Sequence, residues 1–174
     1  MSEDEKQLLT ELRDEYLHLL SECVAKLDHC LSQLNDEQIC QRPGPDQNSI
    51  ANHLAHMAGN LKQWAVTGFG TEPDFRQRDA EFRDFTPQDR KRLLQELIAV
   101  LGIAASTIEK LTLEEMFRVR TIQGFDVNGL QSLSHTVTHF VGHTHQIIQL
   151  TRWHLGSRYR FHWDENAPRN RVPI

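Results

Sequence analysis

Residues 133–148 read LSHTVTHFVGHTHQII. His135, His139 and His143 are spaced four apart, which on a helix places them on one face, with Val137, Val141 and Ile148 on the opposite one. The stretch predicts an amphipathic helix that starts near Asn128 and runs to Leu155, where Gly156 supplies the left-handed residue that commonly closes a helix.

Outward from this segment the helical period recurs. Just upstream, Phe117–Val127 (FRVRTIQGFDV) alternates and carries Gly124 near its turn, as a short hairpin or extended crossover would. Thr86 and Pro87 read as the N-cap and first position of a helix reaching about Lys110. Asn48 or Ser49 caps another, which carries Ile50, Leu54, Met57, Leu61 and Trp64 and ends at Gly68 and Gly70. From Lys6 to Leu34, the residues Leu9, Leu12, Tyr16, Leu20, Cys23, Leu27, Cys30 and Leu34 recur in steps of three and four, until Pro43, Gly44 and Pro45 break the pattern. The expected class is all-α, a four-helix bundle with a short extended crossover before the last helix. Residues 1–174 read as a single domain, with 157–174 a C-terminal tail that docks on the bundle, docks on a second subunit or stays mobile.

The formal charge of −5 is spread in mixed sign, without the basic run that nucleic acid requires. Met1–Lys6 lacks the basic flank and apolar run of a signal peptide, and no stretch approaches the roughly 20 apolar residues of a membrane span. A cytoplasmic protein without nucleic-acid or membrane partners is expected. Cys23, Cys30 and Cys40 have no CxxC spacing and read as reduced, structural thiols.

The histidines carry the chemistry. His139 and His143, one turn apart, can present two imidazoles to one ion, and His56 on the second helix can complete the set, because bundles build metal sites from facing helices. Three neutral imidazoles leave a coordination position open, which is the catalytic rather than the structural pattern. The competing reading makes the HxxxH pair part of a polar face. His53 lies nearer the apolar arc of its helix and His145 is turned away from the stripe, so both read as structural or surface residues. His135, Asn60 and Gln146 are candidates for orienting a ligand or bound water. Arg76, Arg78, Asp79 and Glu81, in RQRDAEF, form either a charged pocket edge for an anionic substrate or, as the favoured reading, a solvated loop with local ion pairs. GxSxG, P-loop and GxGxxG signatures do not occur, so any catalysis runs through the metal.

The stretches RPGPDQNSIANHLAHMAGNLKQW (42–64), RQRDAEF (76–82), QGFDV (123–127) and LSHTVTHFVGHTHQII (133–148) together resemble the DinB/YfiT-like superfamily of metal-binding helical bundles, in a little-characterised bacterial branch. The resemblance implies a metal held by one histidine of the second helix and an HxxxH pair of the last. It assigns these to His56, in preference to His53, and to His139 and His143. The chain departs from the family pattern at His145, where a glycine commonly precedes the glutamine, and this position is expected to narrow the site mouth or add a ligand. Superfamily members include transferases and an isomerase that use low-molecular-weight thiols. The implied function is therefore a divalent-metal protein, zinc or nickel, acting as a thiol S-transferase-like enzyme on a small-molecule substrate with a low-molecular-weight thiol as cosubstrate. A metal-dependent amide or ester hydrolase and a non-catalytic, metal-stabilised interaction protein are the alternatives. Pairing into a homodimer is a further implication.

Overall fold

The computed structural model describes residues 2–70 and 73–161. In chain order the helices are α1 (Glu3–Leu31), α2 (Asp36–Cys40), α3 (Ile50–Leu61), α4 (Arg90–Lys110), α5 (Leu113–Phe117) and α6 (Gly129–Leu155). The long helices α1, α3, α4 and α6 make the bundle, with α1 packed along α6 and α3 packed on both α4 and α6. The all-α class and the four-helix arrangement are those expected from the sequence.

Each long helix begins where its capping chemistry allows. Ser2 caps α1 and is answered by Glu5, so the helix starts ahead of the predicted Lys6. Ser49 and Asn52 form the same reciprocal cap on α3, and Asn128 with Gln131 on α6. The short α2 is an addition to the expected helices, set by Asn35 and Gln38, which make a capping pair there too. Gly156 ends α6 with φ of 54°, a backbone angle that favours glycine.

The core follows the predicted stripes. Leu9, Leu20, Cys23, Leu27 and Cys30 of α1 meet Leu133, Val137, Phe140 and Ile147 of α6 and Ile50, Leu54, Met57 and Leu61 of α3 in one apolar cluster. Ser132, Thr136, Thr144 and Thr151 are also buried on α6. The three threonines donate to the carbonyl four residues back, at 2.8–2.9 Å, which satisfies their hydroxyls within the helix.

The crossover is a hairpin. Strand β1 (Val119–Ile122) pairs antiparallel with β2 (Phe125–Asn128), Ile122 opposite Phe125, around the two-residue turn Gln123–Gly124, both at positive φ. Two departures from the expected elements bear on function. Beyond Leu61 the helix continues as a widened π turn over Lys62–Thr67, in which Gly68 N–H donates to Gln63 O at 2.9 Å; the carbonyl of Trp64 accepts from the Ser132 hydroxyl at 2.7 Å. The segment 78–85 is pinned rather than solvated. Arg42 donates to Phe82 O and Asp84, and the buried Asn52 side chain donates to Glu81 O and Arg83 O at 3.0 and 2.8 Å.

Past Gly156 the chain folds back on α1. Arg160 N–H donates to Gln33 and its carbonyl lies 2.6 Å from His29 Nε2. The beginning of the tail thus docks on the bundle, and the remainder of the predicted tail, 162–174, lies outside the described residues.

Candidate metal centre

α3 and α6 face each other with one imidazole per turn, and the helical spacing read from the sequence brings His56, His139 and His143 to a single point. One ring nitrogen from each lies within 4.8 Å of the other two. His56 Nε2 is 3.0 Å from His139 Nε2, which is 3.2 Å from His143 Nε2. Nitrogens bound at about 2.0–2.1 Å around one ion stand roughly 2.9–3.4 Å apart for octahedral or tetrahedral angles, so these separations fit a divalent metal.

The electrostatics fit as well. His139 is held down to a pKa of about 3, first by burial and then by its neighbours His143 and His56. His143 is likewise lowered, by burial and by His56, with Gln146 acting in the opposite sense through a hydrogen bond. Neutral imidazoles keep the lone pairs that a metal needs.

His56 is the most enclosed of the three, 7 % exposed, and its outer nitrogen is occupied. Nδ1 lies 2.8 Å from Glu81 Oε2, to which it can donate, and 3.2 Å from an Arg76 guanidinium nitrogen, while Nε2 faces the cluster. Glu81 is only 8 % exposed and accepts from Arg76 through both oxygens, at 2.7 and 2.8 Å. Burial pushes the Glu81 carboxyl up, but the hydrogen bonds from Arg76 and His56 outweigh it and hold its pKa below the ordinary value. Arg76 in turn donates to Gln63 on the π turn at 2.7 Å, and Gln63 donates to Asp74.

RQRDAEF therefore divides. Arg78 and Asp79 are exposed, as a solvated loop requires, whereas Arg76 and Glu81 reach inward to the histidine cluster. The favoured solvated reading is wrong for these two because Arg42 and Asn52 draw the backbone of 81–83 onto α3. Gly59 makes the approach possible: a Cβ there would overlap Glu81 Oε1 and stand 2.9 Å from its Cδ.

The remaining candidates sort by contact. His53, read as structural or surface, is buried and puts Nδ1 3.0 Å from His143 Nδ1, so it touches the cluster from the other side. Burial and its neighbours His143 and His56 lower its pKa to about 4, leaving it neutral. His135 lies outside the triangle, its ring 3.9 Å from that of Trp64 and 5.5 Å from that of His139. Asn60 approaches His135, at 3.4 Å, rather than His56. Gln146 is exposed and hydrogen-bonds His143. His145 is exposed and turned to the carbonyl of Val141 at 3.0 Å, so it neither narrows the cluster nor joins it.

Comparison with known proteins agrees with the helical-bundle fold. The family described as "Protein of unknown function (DUF1572)" matches residues 7–162, and the chain belongs to that DinB-like family. Among solved structures, a DinB-like protein from Bacillus cereus ATCC 10987 shares the fold with a TM-score of 0.58 at 14 % identity, over 78 % of this chain and 90 % of that one. No curated protein matches the sequence. Among the described helices, none is long and apolar enough to cross a membrane.

Proposed function

We propose that the protein binds a divalent metal ion through His56, His139 and His143 and acts as a thiol S-transferase-like enzyme with a low-molecular-weight thiol. The convergence of the three Nε2 atoms at 3.0 and 3.2 Å carries the reading. When bound, the metal supplies Lewis-acid chemistry that makes a thiolate available near neutral pH.

The protein's own groups favour an anionic sulfur at the open side. The carboxylate hydrogen-bonded to the cluster, Glu81, is already matched by Arg76, and burial holds His139 and His143 neutral. The surroundings thus leave the charge of a dication uncompensated, and a thiolate is complementary to it.

Two measurements test the proposal. Protein purified without a histidine tag is analysed for metal beside a His139→Ala, His143→Ala double variant, with stoichiometric zinc or nickel expected only in the former. Equal metal content in both would remove the site. Metal-loaded protein is then incubated with an activated electrophile, with and without a small thiol. A thioether product that requires both thiol and metal is expected, and hydrolysis that is indifferent to thiol, or no turnover with any thiol, overturns the transferase reading.

A further inference from the structure

We infer that Glu81 is the positioning residue of the metal centre, and that the segment 74–83 exists to deliver its carboxylate to His56. The inference rests on the metal-binding reading for its purpose, but its geometry is that of the protein alone.

An imidazole has two nitrogens, and only the one without a proton can bind a metal. An unbraced histidine populates both tautomers and rotates about its side-chain torsions. At His56 neither freedom remains. Two groups approach Nδ1, the Glu81 carboxylate at 2.8 Å, which can only accept, and the Arg76 guanidinium at 3.2 Å, which can only donate. The nearer carboxylate places a proton on Nδ1 and, in the metal-binding form, the lone pair on Nε2, the atom that faces His139 at 3.0 Å. The ring plane is further confined by Phe82, whose ring lies 5.1 Å away.

The brace is itself braced. Arg76 grips both Glu81 oxygens, Asn52 accepts none of this load but holds the Glu81 backbone carbonyl at 3.0 Å, and Gly59 leaves the notch that the carboxylate fills. Asn52, His56 and Gly59 all belong to α3, so one helix supplies the metal-facing ring, the anchor for the loop and the gap for its carboxylate. That concentration on a single element is hard to reconcile with an incidental ion pair. A carboxylate behind a ligating histidine raises the ring's basicity as well as fixing it, and its loss typically weakens metal binding by about 10–100-fold.

The test compares wild type with Glu81→Gln and Glu81→Ala. Gln retains the shape and one acceptor oxygen for the His56 Nδ1 proton, while Ala retains neither. In metal-free protein, ring 15N shifts report the His56 tautomer, and zinc and nickel affinities follow from competition with a chromogenic chelator. The expected result is an Nδ1-protonated His56 in wild type, retained in Glu81→Gln and mixed in Glu81→Ala, with affinity falling about 10–100-fold in Glu81→Ala and less in Glu81→Gln. A His56 that keeps the Nδ1 proton in Glu81→Ala, or two variants with wild-type affinity, overturns the inference. If wild type binds no metal, the metal-binding reading fails by itself, and the tautomer measurement still decides whether Glu81 sets the ring. Glu81→Gln, folded by circular dichroism, guards against an Ala variant that fails to fold.

Discussion

On its α3 side the cluster rests on charge: His56 turns Nδ1 to a carboxylate that an arginine grips from behind. On its α6 side it rests on a neutral contact, His143 turning Nδ1 to the imidazole of His53 at 3.0 Å, with the exposed Gln146 beside it. The difference is one of tolerance. A buried ion pair loses heavily when either member is removed, because the other is left charged and unmatched. A neutral imidazole pair can repack, accept water or exchange its proton. The α3 side therefore reads as fixed and the α6 side as adaptable.

Removing Arg76 is the severest way to break this comparison. Arg76→Ala leaves Glu81 buried with only His56 for a partner, and a loss of about 3–5 kcal/mol in unfolding free energy by urea titration is expected. A loss below about 1 kcal/mol, the size of an exposed pair, would place the pair effectively in water.

Gly59→Ala sharpens it. Alanine is the better helix former by about 1 kcal/mol, yet its Cβ would overlap the Glu81 carboxylate. Displacing the carboxylate offsets that gain, so the variant should lose stability, though less than Arg76→Ala because the ion pair can move together, while its metal affinity drops by about the same factor as Glu81→Ala, read by chelator competition. Unchanged affinity would mean that the carboxylate is not needed where the structure puts it.

Acid probes the neutral side. His53 and His139 have folded pKa values of about 4 and about 3, below the ordinary 6.5. Between about pH 6.5 and 4 the unfolded chain then binds more protons than the folded one, so stability is full above pH 6.5 and falls as pH is lowered. The slope is at most about 1.4 kcal/mol per pH unit for each such histidine. Melting of metal-free protein at pH 7.5, 6.0 and 5.0 checks this, and a flat profile would mean that these rings are solvated. The smallest effect is expected for His53→Ala, a few-fold loss of metal affinity, since His143 keeps its helix position and Gln146. A loss as large as that of Glu81→Ala would erase the contrast between the two sides.

The sequence makes one of these sides legible and conceals most of the other. His139 and His143 stand one turn apart on a single helix, so their meeting follows from local geometry. His53 and His56 are both buried and both face α6, one against His143 and the other against His139, so spacing alone does not choose between them. The choice of His56 comes from the family pattern, and the position of His53 near the apolar arc of its helix suggests packing rather than its contact with His143. Arg76 and Glu81 were visible as charges in an aperiodic stretch, which ordinarily means solvent. Their burial depends on Arg42 and Asn52, more than 20 residues away in sequence, and on the absence of a side chain at Gly59. An acidic residue flanked by Ala80 and Phe82, in a chain with a glycine one turn past a candidate ligand, is the signal that was available.

The widened turn at 62–67 bears on how much length the chain can gain or lose. Its amide bonds reach five residues back, as from Gly68 to Gln63, so the helix holds one residue more than a regular α-helix of that span would need. Dropping one residue here would tighten the turn rather than break it, leaving His56 upstream in register with α6. A deletion in a regular α-helix would swing everything downstream by about 100°, whereas here the surplus residue absorbs it and Trp64 can stay against His135 and Gly68 against Ile122. The segment is a length buffer between the cluster of imidazoles and the chain that follows, the place where loss of one residue would be taken up locally, at the cost of resetting Gln63 against Arg76.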